Sequence, residues 1–110
     1  MITRTDAAAV DVPVEPLPPD QTVSGEPSAG FVELAGVPGL EVGIWEHSVG
    51  VSTDVEVDEV FVVLSGRATI ESAEGASVDV GPGDVVTLAD GTATTWTVHE
   101  TLRKVYVTRS

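Results

Sequence analysis

From Gly30 onward the apolar positions fall in short runs, alternating or nearly continuous, each closed by glycine, proline or small polar residues. Residues 31–35 alternate weakly and end in a turn at 36–39. Residues 40–47 predict a strand with Leu40, Val42 and Ile44 on one face and Gly43, Trp45 and His47 on the other. Residues 48–54 are small and polar and predict a loop. Residues 58–66 form a nearly continuous apolar strand, followed by a short strand over 67–72, a hairpin turn at 72–75 and its partner at 76–80. A second turn, Gly-Pro-Gly-Asp at 81–84, leads into 85–89, and a third lies at Asp90 and Gly91. Residues 94–100 and 102–108 close the chain. The spacing predicts about eight short strands at intervals of roughly 8–12 residues, and no segment sustains a 3.6-residue apolar period. Such a pattern predicts an all-β sandwich or small barrel. The many Val and Thr residues agree.

Residues 1–28 differ. Five of the seven prolines lie there, and Asp6, Asp11, Glu15, Asp20 and Glu26 face only Arg4. Proline removes backbone donors, and little between the prolines can be buried. This predicts an extended or disordered acidic tail, partly laid along a single domain over 29–110.

Charge then narrows the partners. Eighteen acids against five basic residues give a formal net charge of -13, which disfavours phosphate backbones and anionic membranes. Arg103, Lys104 and Arg109 lie in the last eight positions, whereas residues 41–90 carry eleven acids and only Arg67. A basic closing strand set beside acidic neighbours is the natural arrangement. No cysteine is present, so thiolate chemistry and disulfides are excluded. No apolar run approaches the roughly 20 residues that span a bilayer, and the first residues lack a signal pattern. A cytoplasmic location is the expectation.

The stretch 58–91 resembles the cupin superfamily. Glu59 and Gly66 stand at the spacing of that family's first motif. Gly83-Asp84 followed by Ala89-Asp90-Gly91 resembles the second, with Ala89 in a proline's place. Trp45-Glu46, Trp96 and the run Arg103-Lys104-Val105-Tyr106 make the chain similar to the small cupin branch typified by the ureidoglycine aminohydrolase cupin domain and the ethanolamine-utilisation Q protein. The resemblance implies a small jelly-roll barrel, or double-stranded β-helix, and a homodimer. It implies a metal site only where the family's histidines are kept. Here their positions are held by Thr53 and Val55, or by Ser52 and Asp54, and the later one by Thr94. Of the usual four ligands only Glu59 remains, so no metal or other cofactor is expected.

Candidate chemistry therefore centres on Glu59. Period-two alternation places Glu59, Phe61 and Val63 inside, and likewise Thr94, Trp96 and Val98. A carboxylate beside tryptophan can act as a general base, or can simply brace the barrel through a basic partner. Trp45, Glu46, Phe61, Thr94, Trp96, Arg103 and Tyr106 are the expected ligand contacts. Only one of Arg103 and Lys104 can point inward. His47 and His99 read as strand-end surface residues, and Glu56 and Asp58 as a solvated acidic edge. Three functions fit: a metal-independent small-molecule-binding cupin; a metal-dependent, aminohydrolase-like enzyme with unusual ligands such as Glu59 with Asp54, Glu46 or His47; and a non-catalytic dimeric scaffold.

Overall fold

The computed structural model describes all 110 residues, Met1–Ser110. Nine strands follow one another: β1 (Glu15–Pro16), β2 (Thr22–Ser24), β3 (Ser28–Leu34), β4 (Leu40–His47), β5 (Gly50–Val55), β6 (Glu59–Ser72), β7 (Ser77–Val80), β8 (Val85–Leu88) and β9 (Ala93–Arg109). There is no helix, so none is long and apolar enough to cross a membrane.

Two long strands carry the architecture. β6 and β9 pair antiparallel from Glu59 opposite Thr108 to Ser72 opposite Thr94. Their register shifts between Val63 and Ala68, where both strands turn from one layer into the other. Gly66 sits at this corner with φ of 89°, and a Cβ there would overlap the Thr101 carbonyl and Leu102. The corner thus needs glycine on both counts. On one side of it lie β3, β4, the second half of β9, the first half of β6, and β8. On the other lie β2, β5, the first half of β9, the second half of β6, and β7. The two layers face each other as a jelly roll. Ten buried side chains, among them Phe61, Val63, Ile70, Trp96, Val98 and Leu102, fill the space between them.

Two expectations change. Residues 50–55 are a strand, β5, and not part of a loop. Its inward positions carry polar side chains, which hides its alternation. The strands expected at 58–66 and 67–72 are one continuous β6, and those at 94–100 and 102–108 are one β9, because bulges bend the chain without ending the pairing. Within the N-terminal segment, β1 pairs with β3 and β2 with β5, so this part lies extended along the domain.

Part of the outer face of the layer containing β8 is apolar as well. Two cross-strand rows, Thr87–Val60–Val107–Val42–Leu34 and Val85–Val62–Val105–Ile44–Val32, contain no charged residue. The N-terminal segment covers the β3–β4 end. The Pro13 carbonyl packs against Gly30, and Val12 and Ile44 are buried. Val60, Val62 and Val85 stay exposed.

Candidate functional site

The site is built at one end of the space between the layers. Alternation along β9 puts Leu102, Lys104 and Tyr106 on the inner face, opposite His47, Trp45 and Gly43 of β4. Gly43 is required, since a Cβ there would overlap the Tyr106 ring. On the other flank of β9, Val63 and Phe61 of β6 stand opposite Lys104 and Tyr106. Trp96 enters from the facing layer.

Lys104 is the only lysine in the chain, and it is inside the barrel, 4% exposed. Its Nζ donates to Glu59 Oε2 at 2.6 Å. The same nitrogen lies 4.3 Å from the Trp45 ring centroid, 4.2 Å from that of Phe61 and 4.9 Å from that of Trp96. One carboxylate and three ring faces thus hold the ammonium, and cation–π attraction is strongest when the cation is desolvated like this. Burial pushes the Lys104 pKa below the ordinary lysine value, while Glu59 and, more weakly, Glu56 and Asp54 pull it back up.

A second carboxylate is fixed nearby. Glu56 is buried, and its Oε2 accepts from the Thr94 hydroxyl at 2.6 Å and the Trp96 indole N–H at 3.0 Å. The irregular link between β5 and β6 sets its position: Glu56 N–H donates to the Thr92 carbonyl, and Gly91 N–H donates to the Glu56 carbonyl. A third, Glu41, accepts from the Tyr106 hydroxyl at 2.8 Å. Burial and that carboxylate push the Tyr106 phenol well above its usual pKa.

These groups line one cavity of about 250 Å³. Its wall includes Glu41, Asp54, Glu56 and Glu59, the single cation Lys104, and the aromatic faces of Phe31, Trp45, Trp96 and Tyr106. Phe31 stands exposed at the rim, edge-on to Tyr106. Such a wall, apolar faces with a few convergent polar groups, is what small-molecule sites use.

The expected residues separate. Glu59, Trp45, Trp96 and Tyr106 line this cavity, while Thr94 stands behind it on Glu56 and Phe61 behind it on Lys104. Glu46 and Arg103 do not. They share the outer face of β4 and β9, where Arg103 Nη2 stands 3.1 Å from Glu46 Oε1. Arg103 Nη1 also donates to the carbonyls of Ala7 at 3.0 Å and Val10 at 2.7 Å, clamping the N-terminal segment. Of the two candidate basic residues it is Lys104 that points inward. Parity from Tyr106 would have found it. His47 is not on the surface. It is 1% exposed, Nδ1 donates to the Ser48 carbonyl at 2.6 Å, and Nε2 accepts from Ser52 Oγ at 2.9 Å. Burial lowers its pKa. Asp58 is exposed as expected, but Glu56 is buried, its carboxylate held by Thr94 and Trp96. His99 is exposed and contacts Thr69.

Residues 39–106 match the family model of the EutQ-like cupin domain. The EutQ protein of Clostridium difficile superposes with a TM-score of 0.75 at 22% identity, over 98% of this chain and 86% of that one. A DUF861-family protein from Pseudomonas syringae pv. tomato superposes with a TM-score of 0.77 at 23% identity, over 90% of this chain and 44% of that one. A protein of unknown function from Rhizobium leguminosarum bv. viciae is 26% identical, with a TM-score of 0.65, over 72% of this chain and 78% of that one. No curated protein matches.

Proposed function

The chain belongs to the EutQ-like cupin family, and on that premise we propose that it binds a small molecule in the cavity beside Glu59 without a metal ion. The observation that carries this reading is the Lys104–Glu59 pair at 2.6 Å inside an aromatic cage. The first-motif glutamate is already neutralised by a tethered ammonium, so no external cation is needed to balance it. Of the partners that the metal-dependent alternative gives Glu59, Asp54 shares the cavity but the other two do not serve. Glu46 lies on the other face of β4, and both ring nitrogens of His47 are hydrogen-bonded within the wall. Ligand-dependent thermal shifts, set beside metal analysis of protein purified without chelator, test the reading.

We further propose that the exposed valines Val60, Val62 and Val85 meet a second copy of the chain. Elsewhere a net charge of -13 drives copies apart. The two rows holding these valines are uncharged, so two copies can approach there without like-charge contact. The part of this face left open by the N-terminal segment spans β8, β6 and β9, where the exposed valines lie, and a homodimer contact there would be at the small end of the usual range.

A further inference from the structure

We propose that Lys104 is a covalent amine: its Nζ condenses with a small uncharged aldehyde or ketone held in the cavity to form an imine. This rests on the reading of the cavity as a ligand site and adds what the ligand would be.

Three observations lead there. First, the chain's sole lysine is placed where it cannot serve solubility, between Trp45, Phe61 and Trp96, and it borders a cavity large enough for a small organic molecule. Second, its one hydrogen bond is to a carboxylate, Glu59 Oε2, so a proton acceptor is already in contact with the amine. Desolvation, which lowers the pKa of Lys104, favours the neutral nucleophile. Third, the charges on the wall select the ligand. Glu41, Asp54, Glu56 and Glu59 surround one cation, which disfavours an anionic carbonyl compound such as a keto acid.

The steps balance. Glu59 takes one proton from the Lys104 ammonium. The freed nitrogen pair attacks the carbonyl carbon, and the C–O π pair moves to oxygen, which takes the proton from Glu59. Glu59 then removes a second proton from nitrogen and passes it to the hydroxyl. This leaves as water while the nitrogen pair forms the C=N bond. The product is a protonated imine and one water, with Glu59 again a carboxylate. The imine carries the same single positive charge as the ammonium, so the ring cage and Glu59 stabilise both.

The single lysine makes the test clean, because only Lys104 and the N-terminal amine can be reductively alkylated. The folded protein is treated with butanal and sodium cyanoborohydride at pH 7, and peptide mass mapping locates the adduct. The expected result is a Lys104 adduct forming at least tenfold faster than the α-amine adduct. Glu59→Gln, checked for folding by near-ultraviolet circular dichroism, should slow the Lys104 adduct at least tenfold and leave the α-amine rate unchanged. If that variant does not fold, the pH profile of the wild-type rate replaces it: Lys104 should react already at pH 7 and gain less between pH 7 and 10 than a free lysine. An α-amine adduct alone in the folded protein, with Lys104 reacting only in urea, overturns the imine. Butan-1-ol, the non-carbonyl control, separates the two readings. If the alcohol raises the melting temperature and Lys104 stays unmodified, the cavity binds ligands but the imine is wrong. If neither alcohol nor aldehyde binds, both readings fall.

Discussion

Lys104 and Glu59 neutralise each other inside the barrel: Nζ and Oε2 stand 2.6 Å apart, with side-chain exposures of 5% and 13%. Removing one partner of a buried pair leaves an uncompensated charge and costs about 3–5 kcal/mol, whereas replacing both with apolar residues is often neutral. Glu59→Leu should therefore destabilise by about 3 kcal/mol or more. The double variant Glu59→Leu/Lys104→Met should recover most of that loss. Urea unfolding of both variants checks this, and equal losses in the two would sink the pairing.

Ligand binding should appear as stabilisation. A compound at 100 times its Kd adds about 2.7 kcal/mol, which raises the melting temperature of a chain this size by several degrees. Small uncharged carbonyl compounds and their alcohols should produce such shifts. Manganese, iron, nickel and zinc should produce none, and protein purified without chelator should contain them only substoichiometrically. A stoichiometric metal would reverse the account of Glu59.

His47 sets an acid limit. Its folded pKa lies below 6.5, so as pH falls below that value the unfolded chain takes up a proton that the folded chain refuses. Stability from this residue is complete above pH 6.5 and declines as pH drops towards the folded pKa. Calorimetry of wild type and His47→Asn between pH 7 and 5 should show the steeper fall in wild type. Parallel curves would mean that His47 titrates normally.

Val62→Glu puts a charge at the centre of the uncharged outer face. Analytical ultracentrifugation should show a dimer in wild type and a monomer in the variant, with an unchanged circular dichroism spectrum. A wild-type monomer at high micromolar concentration would remove the proposed contact.

The sequence was most legible where backbone geometry dictates the residue. Gly66, Gly83 and Gly91 all have positive φ, at the corner and at the two turns flanking β8. Alternation also worked within regular strands: Phe61 and Val63 follow Glu59 inward, and Thr94, Trp96 and Val98 are buried. Reading failed where the lumen is polar or the backbone irregular. β5 was hidden because its inward residue Ser52 serves His47. Glu56 follows the end of β5, where alternation no longer says which way a side chain points. Lys104 follows strict parity from Tyr106, but a lysine is almost never fully buried without a partner, and that partner, Glu59, lies 45 residues away in sequence. Arg103 and Glu46 have the opposite parity and pair on the outside.

The most direct test is to observe the Lys104 ammonium itself. Selective ¹⁵N labelling of a chain with one lysine gives a single side-chain amine resonance. The account predicts slowly exchanging ammonium protons, a titration midpoint below the ordinary lysine value and a marked change of shift in Glu59→Gln. A fast-exchanging amine that titrates like a free lysine and ignores Glu59→Gln would contradict it.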